Sequence, residues 1–397
     1  MKWRQDMNVI ATKVKKICTR LRSELDHYYT KLYLVLAPIK SNKVVFNSFK
    51  GQQYNDNPKY IADEIIQRKL KWDLVWIVND LDVEVPKEVR KVLINSNKML
   101  REIASSRFFI DNTRASIRPP KRKKQIYIQT WHSNLAFKNV EKSVESKLPH
   151  SYVQAAKEDG KNCDAIISGC KLRSKDYIEN FWLNESTEIL EFGIPRNDPL
   201  FDDTSRKLYS SKVRSFFGIQ NKKIVLYMPT FRDNSLEESY DIDYNRVLKA
   251  FKDKFHEDFV IIVKLHPIRY SSSKNIIYSE HCINGNVYPD TQELLVAADF
   301  LISDYSSVCF DFALLDRPVF LFVPDINEYR NIRGLNNIFE ISPFIRSHSN
   351  DELESEILKF DLQKYLSLTS SFREIWDPFD DGNASKRTVD WMISKNN

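Results

Sequence analysis

Short apolar runs separated by helical stretches recur along this chain and constrain its fold more than any other feature. The first set comprises Val44–Phe49, Leu74–Val78, Val92–Ile94, Phe108–Ile110, Ile126–Gln129 and Ala165–Ser168, with a helix expected over Pro58–Lys69. A second set follows Pro195, with Ile224–Met228, Val260–Leu265, Phe300–Ser303 and Val319–Phe322. Runs of this kind alternating with helices predict parallel strands buried on both faces. Two sets predict an α/β chain of two Rossmann-like, doubly wound domains facing a cleft. The turn-rich stretch Gly193–Pro199 separates them and reads as a hinge. The expected organisation is therefore a basic segment at 1–40, an N-terminal domain at 41–195 and a C-terminal domain at 196–397.

The length, 397 residues, suffices for two cores, and 42% hydrophobic with 29% charged residues excludes a disordered chain. The longest plain apolar run, Leu32–Pro38, is too short to cross a bilayer. No apolar core followed by a small-residue cleavage site marks the start, so a secretory signal is not expected. Five scattered cysteines without CxxC spacing argue against structural zinc or a disulfide framework and for a reducing cytosol. A net charge of +6 permits anionic partners without selecting one. No basic stripe interleaved with aromatics points to nucleic acid. Lys13–Lys31 is basic and amphipathic, equally suited to an anionic membrane surface or to packing on its own domain. Neither GxGxxG nor GxxxxGK[ST] occurs, which counts against dinucleotide dehydrogenases and P-loop enzymes.

In open parallel sheets, ligands bind beyond the carboxyl ends of the strands. Several runs end there in polar clusters: Gln129–Asn134, Pro229–Asp233, Lys264–Pro267 and Asp304–Ser307. The last opens a helix expected over Val308–Leu315, whose free N–H groups and dipole suit a phosphate. His132 and His266 stand at strand ends in opposite halves, as a general base and a phosphate-side partner would. Arg232 can grip a phosphate oxygen in bidentate fashion. Asp311, one turn into that helix, reads as a structural pairing. Asp202-Asp203 and Asp380-Asp381 read as solvated turns, and no DxD at a strand end calls for a metal or other cofactor.

These segments also carry a family resemblance. QTWHSNLAFK (129–138), FGIPRND (192–198), YMPTFRD (227–233), VKLHP (263–267) and LISDYSSVCFDFALLDRPV (301–319) resemble the CDP-glycerol glycerophosphotransferases, which include teichoic acid primases and polymerases. VVFNSFKGQQYNDNPKYI (44–61), YRNIRG (329–334) and DGNASKR (381–387) resemble further motifs of the same family, in the same order. The resemblance implies a GT-B fold, a CDP-glycerol or CDP-ribitol donor held mainly by the C-terminal domain, and release of CMP. It implies a lipid-linked or polymer acceptor and peripheral attachment to the cytoplasmic face of the cell membrane. The working expectation places His132 and His266 in catalytic roles and Thr230, Arg232, Asp304, Ser306, Ser307 and Arg333 at the donor. One departure stands out: Ser133-Asn134 follows the histidine where the family usually has Gly-Thr. A GT-B sugar transferase or sugar-nucleotide epimerase, and a catalytically silent scaffold of a polymer-export assembly, are the alternatives.

Overall fold

The computed structural model describes residues 24–114, 118–230, 242–265, 276 and 278–396. Cys18, Arg232, His266 and the start of the Lys13–Lys31 stretch lie outside them. The first sheet contains β1 (Lys40–Asn47), β2 (Asp73–Val78), β3 (Val89–Leu93), β4 (Ser106–Asp111), β5 (Ile126–Gln129), β6 (Ala165–Ile167) and β7 (Glu188–Leu190). The second contains β8 (Lys223–Tyr227), β9 (Phe259–Val263), β10 (Cys282–Asn284), β11 (Phe300–Ser303), β12 (Val319–Phe322) and β13 (Ile345–Ser347).

Strand order is 3-2-1-4-5-6-7 in the first sheet and 10-9-8-11-12-13 in the second. All pairings are parallel. This is the expected pair of doubly wound, GT-B-like domains. Order reverses between β1 and β4, and again between β8 and β11, so each sheet has one switch point.

The period of two explains why the strands tolerate helices on both faces. Val44 and Phe46 enter one apolar cluster while Val45 enters the other. Ile224 and Leu226 alternate with Val225 and Tyr227 in the same way. The helices α1 (24–36), α2 (Asp56–Gln67), α3 (Asn97–Ala104), α4 (His150–Asn162) and α5 (Lys171–Asn180) belong to the first half. The second half carries α6 (Asp203–Phe217), α7 (Tyr244–Phe255), α8 (Thr291–Ala297), α9 (Val308–Ala313), α10 (Ile326–Arg333) and α11 (Asn337–Ile341). It closes with α12 (Asn350–Lys359), α13 (Leu362–Trp376) and α14 (Ala384–Ser394).

Three strands escaped the sequence pattern: β7, β10 and β13, each three residues long and each at a sheet edge. An edge strand buries one side only, so it needs no continuous apolar run. The domain division also differs from a cut at 195/196. Val389 and Met392 of α14 join the core of the first domain beside Ile61 and Ile65 of α2. Arg68 pairs with Asp390 at 2.6 Å, so the end of the chain crosses back. Phe137 enters the second domain's core, 4.7 Å from Phe310 and 5.4 Å from Phe339 by ring centres. The domains thus share apolar contacts as well as a cleft.

Candidate active site

His132 lies in the loop after β5, at the carboxyl edge of the first sheet. Its ring is half-buried between Trp131 and Phe49, with centres 4.5 and 5.7 Å away. The Nδ1 atom is 2.8 Å from the backbone carbonyl of Asn112, in the loop after β4. A carbonyl only accepts, so Nδ1 carries the hydrogen and Nε2 is left as the basic atom of the neutral ring. Burial pushes the imidazole pKa down to about 4; Asp56 and the Asn112 carbonyl act upward, Arg196 and Lys138 downward. The ring is therefore neutral near pH 7, as a base must be before it takes a proton.

The backbone around this ring is strained. Phe49, Asp56 and Trp131 have φ of 43°, 58° and 51°, in the left-handed region that non-glycine residues avoid. Such conformations cost on the order of 1–3 kcal/mol each and cluster at functional sites.

Beneath the ring, polar side chains tie the two domains together. Asn112 Nδ2 donates to Asp56 Oδ1 at 3.0 Å, and Arg196 Nη1 donates to Asp56 Oδ2 at 3.3 Å. Arg196 Nε and Nη2 then donate to Asp311 Oδ2 of α9 at 3.0 and 2.8 Å. Asn197 Nδ2 bridges Asp311 and Asp380 at 3.2 and 3.1 Å. Asp311 is thus the structural partner its position indicated. Asp380 corrects the expectation of a solvated turn: it also accepts from Asn134 Nδ2 and the Ile194 N–H, each at 3.0 Å. Burial, with Asp311 and Asp198 nearby, pushes its pKa up to about 7. Neighbouring Asp381 does face solvent, paired with Arg387 at 2.8 Å, and Asp202 caps α6 through the Ser205 N–H at 2.7 Å.

The same network absorbs the Ser133-Asn134 departure. Arg173 donates from Nη2 to Ser133 Oγ at 3.1 Å and from Nε to the Asn134 carbonyl at 2.5 Å. Both residues anchor the histidine loop. Further along it, Asn336 N–H donates to Phe137 O, and Asn336 Nδ2 to Ala136 O, each at 2.8 Å. Gly334, at φ +72°, lets this strap close, because a Cβ there would come within 3.0 Å of Asn139 Nδ2.

Across the cleft, Thr230 and Asp304 occupy the second switch point, after β8 and β11. Asp304 accepts from the Thr230 N–H at 2.9 Å, from its hydroxyl at 3.0 Å and from the Tyr305 N–H at 2.6 Å. These two residues hold the strand ends together and so shape the turn. Ser306 and Ser307 follow, both half-buried, and Ser307 begins α9 without a side-chain capping bond. That helix is shorter than expected, ending at Ala313. Tyr305 stacks on Tyr329 at 3.7 Å, fixing α10 to the turn; Arg333, one turn on, shares that helix face.

The chain matches the family described as CDP-Glycerol:Poly(glycerophosphate) glycerophosphotransferase over residues 29–394. It belongs to that family. A teichoic acid poly(glycerol phosphate) polymerase of Bacillus spizizenii is 29% identical over 396 residues, covering 95% of this chain and 99% of the relative. A polymerase of the same description from Bacillus subtilis is also 29% identical; this chain spans only 53% of it. The solved wall teichoic acid polymerase TagF, as a histidine-to-alanine variant, superposes with TM-score 0.83 at 26% identity, covering 96% of each chain. A histidine-to-asparagine variant of that polymerase soaked with CDPG superposes at 0.81, with 26% identity and 96% and 95% coverage.

Sequence reasoning missed Asn112, Asp56 and Arg196 as parts of this arrangement. FGIPRND gave the signal for Arg196, and NDNP did so for Asp56. Nothing local gave their partners.

Proposed function

We propose that this glycerophosphotransferase moves glycerol phosphate from CDP-glycerol to a hydroxyl of a membrane-associated acceptor, in teichoic acid or capsule-type polymer synthesis. One observation carries the proposal. The neutral His132, with Nε2 as its acceptor, packs beside the first switch point, against Phe49 after β1 and the Asn112 carbonyl after β4, and the Asp304–Ser307 turn stands at the second.

In the proposed step, the acceptor oxygen attacks the glycerol-bearing phosphorus and its proton passes to His132 Nε2. The bond from that phosphorus to the CMP oxygen breaks, and CMP leaves with the electron pair. Ser306, Ser307 and Arg333, together with Arg232 and His266, hold the pyrophosphate and meet the charge that develops. Positioning and electrostatics dominate transfers of this kind. The anionic donor raises the proton affinity of His132 once bound, bringing it nearer the working range of a base.

The test is CMP release from CDP-glycerol and, separately, CDP-ribitol, with and without a lipid-linked acceptor. His132→Ala should lower turnover by about 100-fold or more while donor binding persists. Release of a nucleoside diphosphate, or silence with both donors, would overturn the assignment. Anchorage of Ser133 and Asn134 in the network favours a working enzyme over a silent scaffold.

Peripheral membrane contact is part of the proposal. On α1, Leu25, Tyr28, Leu32, Val35 and Leu36 are all exposed, while Asp26 is held by Arg101 at 2.6 Å. Arg122 of the basic run Lys121–Lys124 donates to the Ala37 carbonyl at 2.6 Å, setting cations beside this apolar face. Such a surface suits an anionic leaflet at the cytoplasmic face. No helix among the described residues is long and apolar enough to cross a membrane.

A further inference from the structure

We propose that Asp56, acting through Asn112, is a positioning residue for His132, fixing its tautomer and opposing a carboxylate to the imidazolium that forms. The inference rests on His132 being the base. When the acceptor proton reaches Nε2, the ring becomes a cation whose Nδ1–H still donates to the Asn112 carbonyl. One proton moves in this step, from the acceptor oxygen to Nε2.

The geometry makes Asn112 a rigid connector. Its Oδ1 accepts from the Phe49 N–H at 2.9 Å, and its Nδ2 donates to Asp56 Oδ1 at 3.0 Å and to Ser48 Oγ at 3.2 Å. With the side chain held on three sides, the backbone carbonyl cannot swing away from His132. Asp56 is the charged member, and its side chain is 12% exposed. Among the described residues, ionisable neighbours acting on His132 include Asp56 from α2, Arg196 from the Gly193–Pro199 hinge, and Lys138 on the same loop. Asp56 is the anion among them, and its charge favours a positive ring.

Two further observations point the same way. Asp56 adopts φ 58° at the first position of α2, a conformation not needed simply to begin a helix. Phe49 and Trp131, which touch the ring, are strained alike, at φ 43° and 51°. Backbone strain converges on both ends of the connection, where a purely structural contact would not require it.

The rival explanation is that Asp56 only docks the domains through Arg196. Asp311→Asn provides the control, because it weakens the same tie from the other side of Arg196 and leaves Asp56 and Asn112 in place. Asp56→Asn should lower kcat by about 10- to 100-fold, with KM for CDP-glycerol within about twofold of wild type. Because Asp56 raises the proton affinity of His132, its loss should move the acid limb of kcat/KM to lower pH. In ¹⁵N spectra of the histidine rings, assigned with His132→Asn, the neutral wild-type ring should be the Nδ1–H form. Asp56→Asn and Asn112→Ala should mix the tautomers, and Asp311→Asn should not.

An unmoved acid limb and unmixed tautomers in Asp56→Asn, with no greater loss of kcat than in Asp311→Asn, would overturn the positioning role. If His132→Ala is inactive under that result, the base assignment stands alone. Full activity in His132→Ala would overturn the base assignment and this inference with it.

Discussion

Replacing Arg196 with methionine removes a buried cation from between two carboxylates and should destabilise the closed arrangement of the domains. The side chains of Arg196 and Asp311 are 5% and 4% exposed, so solvent screens their pairing little. Two charge-assisted bonds to Asp311 would be lost, at about 1.5–3 kcal/mol each. Their sum is about 3–6 kcal/mol. Asp311 recovers part by taking up a proton, which leaves about 3–5 kcal/mol, the usual cost of orphaning one member of a buried pair.

The sign of the pH dependence follows. Burial already raises the Asp311 pKa, opposed by Arg196, so loss of the arginine raises it further. A folded-state pKa above the unfolded one contributes stability at low pH that is lost as pH rises through the folded value. The deficit of Arg196→Met should therefore be smaller near pH 5.5 than near pH 8. Urea midpoints at unchanged slope, for wild type, Arg196→Met, Asp311→Leu and the double variant, measure this. The double variant should cost clearly less than the sum, because it leaves no unpaired charge at Asp311. A loss under about 1 kcal/mol in Arg196→Met, with additive variants, would refute the reasoning.

Three other outcomes are expected. Asp111 and Asp380, both pushed up to about 7 by burial, should make the wild type lose stability from pH 5 to 8, and Asp380→Asn should flatten part of that slope in urea titrations. Asn134→Ala removes a buried donor from Asp380 and should cost about 1–3 kcal/mol by thermal or urea unfolding; no change would mean the Ser133-Asn134 departure has no structural role. Leu32→Glu with Leu36→Glu should reduce sedimentation with anionic vesicles while leaving the far-UV spectrum unchanged; undiminished binding would remove α1 from the membrane contact.

Much of the fold was legible because its signals are local. Val44, Val45 and Phe46 state in three residues that both faces of a strand are covered, and their repetition along the chain dictates parallel sheets. The polar clusters after β5, β8 and β11 likewise marked the carboxyl edges of the two sheets, since a strand's end is fixed by its own sequence. The ordered motifs placed the chain in its family.

Tertiary structure alone decided who partners whom. Asp380 and Asp381 are chemically identical neighbours, yet one closes the interdomain network and the other pairs with Arg387 in solvent. Asp56, Asn112, Arg196 and Asp311 span more than 250 residues, and α14 returns to a domain the chain had left. A hydrogen bond depends on where a distant group arrives once both cores have closed. Residue type and spacing therefore single out His132 without saying which nitrogen holds its proton.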